Sequence, residues 1–111
     1  MFEIRENTRT LPDGKQIRTF SREVVSANIL EVEAGSTGYR GGDSGHGGRT
    51  YFRIEDVGST DIEVRTLKNA GNGGFEVFLG GDCELATIID ALKFITQALE
   101  DEAAESKDPY V

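Results

Sequence analysis

At Gly80-Gly81 the hydrophobic period of this chain changes, and the change sets an order of strands first and helix last. Before it, residues 50–55, 61–65 and 75–79 alternate apolar and polar side chains, the pattern of strands with one buried face. After it, Leu85, Ile88, Ile89, Leu92, Ile95 and Leu99 recur at spacings of three and four, which puts them on one stripe of a helix. The spacing predicts a helix from about 83 to 103. Asp82 is expected as its N-cap, and Glu84 places negative charge where the helix dipole favours it.

Gly58-Ser59 and Gly71-Asn72-Gly73-Gly74 separate the three alternating runs by hairpin-length spacers. A meander over 50–79 is therefore expected, with Phe52, Ile54, Ile62, Val64, Phe75, Val77 and Leu79 on one face and the helix stripe against it. Upstream, Pro12-Asp13-Gly14 is a turn between two further strand-like runs. Residues 29–33 make another strand, after a bend near Ser26-Ala27-Asn28. The expected fold class is α+β: an antiparallel sheet of about five or six strands packed against one C-terminal helix. A chain of 111 residues is one domain by size; it is expected over 1–103, with 104–111 an acidic, frayed tail.

Phe94 departs from the helix stripe. At about 100° per residue it lies opposite Leu85, beside Thr87, Ala91 and Ala98. Either another part of the chain covers this second patch, or Ala91, Phe94 and Ala98 form a self-association contact and the protein is a homodimer.

Charge and cysteine content narrow the function classes. Acids outnumber bases 20 to 12 for a net charge of -8, which argues against a dedicated nucleic-acid binder and against adhesion to an anionic membrane. The excess belongs to one half: residues 1–55 hold 8 bases and 8 acids, residues 56–111 hold 4 and 12. Such an acidic surface could instead occlude the basic nucleic-acid-binding surface of another protein. Cys83 is the only cysteine, so neither an internal disulfide nor a cysteine-based zinc ribbon is available. The N-terminal residues lack the apolar stretch of a signal peptide, and a bacterial cytoplasm is the expected location.

The candidate site is the segment 35–49, which holds seven of the fourteen glycines and the only histidine. Simple hairpin closure needs two to five residues, and longer connections are usually functional or disordered. Gly42-Asp43-Ser44-Gly45 has the letters found around the nucleophile of trypsin-like proteases, but no second histidine could serve as base, since His46 is only two residues from Ser44. Arg40 and Arg49 with glycine amides could cradle an anion, although no phosphate-loop motif is present. A divalent metal could use Asp43 and His46 with Asp82, or with the neighbouring Cys83 or Glu84, and would make the chain a hydrolase or lyase.

Protein recognition needs no missing catalytic partner and is the favoured reading. Its expected surface is Tyr39, Arg40, Asp43, Ser44, His46, Arg49 and Tyr51, residue types common at contact hot spots. No catalytic residue and no cofactor is assigned. The carboxylate pairs Glu31/Glu33 and Asp61/Glu63 read as solvent faces of strands. Arg5, Arg9, Arg18 and Arg22 are expected to group on the first hairpin or to pair with Glu3, Glu6 and Glu23.

Overall fold

A computed structural model describes residues 3–25, 28–69 and 72–105. In chain order it forms β1 (Arg5–Thr10), β2 (Gln16–Val25), β3 (Ile29–Ser36), a single 3-10 turn (Ser44–His46), β4 (Thr50–Gly58), β5 (Ile62–Asn69), β6 (Asn72–Leu79) and α1 (Asp82–Glu105). Six antiparallel strands and one C-terminal helix make an α+β fold. The strands form two sheets rather than one: β1-β2-β3-β4 in sequence order, and β5-β6 alone. The meander expected over 50–79 is thus divided between β4 and β5.

The division has a local cause. The Asp56 carboxylate accepts from the backbone N–H groups of Gly58 (3.0 Å) and Thr60 (3.1 Å), and Ser59 takes a left-handed φ of 56°. The Thr60 hydroxyl, with its residue buried, donates back to the Ile29 carbonyl at 3.3 Å. This knot turns the chain away from the sheet edge before β5 begins. Asp61 is then held at the helix start, its N–H donating to Glu84 Oε2 (3.1 Å) and its carbonyl accepting from Gly80 N–H (3.1 Å). The Pro12-Asp13-Gly14 turn is present, with Gly14 at a φ of 90° and β1 registered on β2 from Arg5↔Ser21 to Thr10↔Gln16. The bend expected at Ser26-Ala27 lies outside the described residues; Asn28 beyond it is buried.

Helix α1 covers one face of the four-stranded sheet, chiefly over β3. Leu30, Val32 and Ala34 of β3 and Val24 of β2 meet Ala91, Ile95 and Ala98, with Ile54, Ile62, Ile88, Phe94 and Leu99 at the margins. The buried side chains of the helix are Thr87, Ala91, Ile95, Ala98 and Glu102. This rotates the predicted packing. Ile88, Ile95 and Leu99 of the expected stripe pack, but Leu85, Ile89 and Leu92 face solvent, Leu85 at 59% exposure where Ala91 has none. Small side chains at 87, 91 and 98 let the helix backbone approach the sheet closely, and the larger residues flank that contact. Of the patch expected either to be covered by the chain or to self-associate, Ala91 and Ala98 are buried against the sheet, while Phe94 is half-buried, with the Arg22 guanidinium 5.9 Å from its ring centre.

Two boundary expectations also change. The first helical hydrogen bond runs from Leu85 N–H to the Gly81 carbonyl (3.1 Å), so Gly81, at a φ of 106°, is the cap and Asp82 is the first helical residue. At the other end, Ala104 and Glu105 are helical rather than frayed. Acids there oppose the helix dipole, and Arg18 of β2 compensates by donating to Glu102 (2.9 Å) and Glu105 (3.2 Å). The remaining tail residues, 106–111, lie outside the described residues. Among those described, no helix is long and apolar enough to cross a membrane.

Candidate functional site

The loop joining β3 to β4 is closed at its base and open at its tip. Pairing of the strands ends at Ser36↔Thr50. Beyond it, Thr37 N–H donates to the Arg49 carbonyl (3.0 Å), and Arg49 N–H returns a bond to Thr37 Oγ1 (3.1 Å). The Arg49 side chain reaches the β1–β2 turn, its Nε donating to Asp13 Oδ2 at 2.6 Å. Lys15 N–H and then Arg49 hold the Asp13 carboxyl below its ordinary pKa. Arg49 and Tyr51 are thus absorbed into the scaffold: the Arg9 guanidinium lies 5.5 Å from the Tyr51 ring centre.

Further out, Asp43 organises the 3-10 turn. Its Oδ1 accepts from Gly45 N–H (2.9 Å), and its carbonyl accepts from His46 N–H (3.0 Å). The His46 ring lies directly against Gly42, at a spacing with no room for a Cβ, and its Nδ1 is 3.4 Å from Asp43 Oδ1. Gly41 and Gly47 bracket the turn at φ values of 88° and 91°, conformations that glycine adopts without penalty. The exposed members of the candidate set are Tyr39, Arg40, Asp43 and His46. Arg40 makes no hydrogen bond or ion pair among the described residues. The Ser44 side chain lies outside the description.

This geometry separates the chemistries considered from sequence. Asp43 and His46 do meet, but among the described residues no group of three or more His, Cys, Asp or Glu side chains is placed to hold a metal ion. Asp82 does not complete the expected triplet. The anion reading needed both Arg40 and Arg49 as free donors, and Arg49 is bound to Asp13 and to the Gly48 carbonyl.

The sheet face away from the helix holds a polar network that the alternation pattern concealed. Glu33, read from sequence as solvent-facing, is 2% exposed. Arg9 grips it in a bidentate pair (2.8 and 2.6 Å), and the Thr19 hydroxyl donates to it at 2.6 Å. Arg53 links Glu33 (3.5 Å) to Glu31 (3.1 Å) and also pairs with Glu55, and Arg5 closes the row on Glu31 (2.8 Å). The Arg9 pair brings the Glu33 pKa down to about 2. A carboxylate that acidic and that enclosed has no proton to exchange near neutrality, so the Glu31/Glu33 pair is a structural clamp. The four arginines expected to group are split: Arg5 and Arg9 lie on this face, Arg18 and Arg22 on the helix face. The available signal was parity, since residues 5 and 9 of β1 share a face with 31 and 33 once the registers are known.

Beside the loop, an apolar groove of about 460 Å³ runs between β4 and the β5–β6 hairpin. Phe52 and Ile54 form one wall; Ile62, Val64, Phe75 and Val77 form the other. The Phe52 and Phe75 ring centres are 6.1 Å apart at its mouth. These are six of the seven side chains predicted to share a face; Ile54 and Ile62 pack against the helix–sheet core, while Phe52, Val64 and Phe75 stay exposed. The chain matches no protein-family model, no curated protein and no solved structure.

Proposed function

We propose that this chain is a binding or accessory domain that recognises a protein partner through the tip of loop 35–49, with Tyr39, Arg40, Asp43 and His46 as its contact residues. The observation that carries the reading is the contrast within the loop. Its base is tied by Thr37, Arg49 and Asp13, while Tyr39 and Arg40 are exposed and make no hydrogen bond or ion pair among the described residues. A loop held in one shape loses less entropy on association than a mobile one, and Tyr and Arg are the side chains that most often anchor interfaces. The clamped Glu33 and the incomplete Asp43–His46 pair support binding rather than catalysis. A single cysteine, exposed at the helix start, fits a reducing compartment.

Photo-crosslinking from position 39 tests this directly. A discrete protein adduct is expected from cell extract, and it should be lost on Arg40→Ala with the fold intact by circular dichroism. Adducts that are diffuse, or that survive Arg40→Ala and His46→Ala unchanged, overturn it.

A further inference from the structure

We infer that the groove between β4 and the β5–β6 hairpin is a self-association face, and that its occupant is a second copy of this chain. The inference is independent of the loop reading, since it uses different side chains. A two-stranded hairpin is marginal in water unless it gains a third strand or a packed face. Here β5 pairs only with β6, and the register places Ile62, Val64, Phe75, Val77 and Leu79 on one side of it. That side meets Phe52 of β4 at the groove mouth but stays half open.

The exposed area is of the size a dimer requires. Phe52, Val64 and Phe75 are 44%, 58% and 55% exposed. Taking about 200 Å² for a whole phenylalanine and adding the half-buried neighbours, each copy presents roughly 400 Å² of apolar surface. Because roughly 60% of an interface is apolar, the face amounts to about 700 Å² per copy. Stable interfaces of standard size bury about 800 Å² per partner. An isologous contact, with the two hairpin faces opposed across a two-fold axis, closes without leaving a second face exposed.

Charge separates this face from the exposed apolar stripe of the helix. The helix stripe of Leu85, Ile89 and Leu92 is exposed too, but Asp82 and Glu84 lie at its start, and Glu100 with Lys93 lies beside Ile89 and Leu92. Two copies meeting there would bring like charges together. The groove-lining side of the hairpin carries no charge from Ile62 to Thr66 or at Phe75, Val77 and Leu79. Around its margins the signs are mixed, with Arg53 beside Glu55 and Arg65 beside Glu63. The local excess of acids, three against Lys93, opposes pairing through the helix more than the balanced margins oppose pairing through the hairpin.

Sedimentation equilibrium of the full chain, from micromolar to high micromolar concentration, should give a mass approaching twice 12.1 kDa. Val64→Lys should raise the dissociation constant at least about tenfold, equivalent to about 1.4 kcal/mol, whereas Leu92→Lys should leave it unchanged. Because Val64→Lys could also unfold the hairpin, hydrogen exchange on the unaltered protein gives a second readout. Protection that grows with concentration should be confined to β4, β5 and β6. The inference is overturned by a monomer throughout the range, by a dimer that Leu92→Lys dissociates and folded Val64→Lys does not, or by concentration-dependent protection confined to other elements.

Discussion

The four-stranded sheet with its helix and the β5–β6 hairpin are built from similar alternating sequences, yet they end in opposite conditions. In the sheet, both faces are used: Leu30, Val32 and Ala34 lie against the helix, and Glu33 lies in the grip of Arg9, Thr19 and Arg53. In the hairpin, Ile62 reaches the core at one end, but Val64, Phe75 and Phe78 remain exposed. The difference teaches that strand-forming pattern and strand burial are separate quantities. Pattern makes a hairpin; only a partner layer makes a core. The sheet has that layer within the chain, whereas the hairpin has only Phe52 and Ile54 of one edge strand.

The strongest way to break this contrast is to remove the grip on Glu33. Arg9→Met leaves a buried carboxylate with Thr19 and a longer contact to Arg53, and losing one member of a buried ion pair typically costs about 3–5 kcal/mol. Urea denaturation should report a loss of that order. Adding Glu33→Leu should recover most of it, because an apolar pair of similar volume is often no less stable than a buried ion pair. A loss below about 1 kcal/mol for Arg9→Met, a value ordinary for surface pairs, would place Glu33 effectively in solvent and remove the distinction between the two regions.

Acid acts on the same carboxylate more gently. Glu33 is depressed from 4.5 to about 2 by Arg9 foremost. Its stabilising contribution is therefore fully present above about pH 4.5 and is lost as pH falls toward 2. A shift of this size corresponds to roughly 3 kcal/mol. Asp13, Asp56 and Glu84 move in the same direction, held chiefly by the backbone amides of Lys15, Gly58 and Asp61. Stability measured from pH 6 down to 2 should decline across this window in the unaltered protein, and less steeply in the Arg9→Met, Glu33→Leu double variant.

How much of this was legible beforehand follows from the range of each interaction. The helix was readable because a 3.6-residue period is local and strong, and its observed span, Asp82–Glu105, exceeds the expected one by one residue at its start and two at its end. Its orientation was not readable. The sequence shows two apolar arcs, one large and one small, and close approach to Leu30, Val32 and Ala34 selected the small one. Glu33 was misread because alternation assigns every charged position of a strand to solvent, and the Arg9 pair that encloses it spans 24 residues. In the loop, glycine content and the Asp43–His46 proximity were local and visible. The division between a tied base and a free tip depends on Asp13, 36 residues from Arg49, and so was not.

The smaller predictions test the helix and then the hairpin. Ala91→Leu forces extra methylenes into the close helix–sheet contact, where overpacking costs about 1–3 kcal/mol. Leu92→Ala on the exposed stripe should change stability by less than about 0.5 kcal/mol, as surface substitutions usually do. The reverse order in thermal denaturation would mean that the helix buries the stripe its periodicity first suggests.

Phe75→Ala should cost little for the truncation of an aromatic ring, provided it is measured at dilutions where the protein is a monomer. A fully buried phenylalanine costs about 3–5 kcal/mol to truncate, through lost transfer energy and the cavity left behind. Phe75 is 55% exposed, and its ring contact with Phe52 contributes on the order of 1 kcal/mol beyond area. A cost of about 1–2 kcal/mol is therefore expected, well below that of an enclosed ring. The same substitution measured at high concentration should cost more, because there the ring is covered by the second copy. An equal cost at both concentrations would show that Phe75 has all its contacts within one chain, and the hairpin would then belong with the sheet as a finished part of the fold.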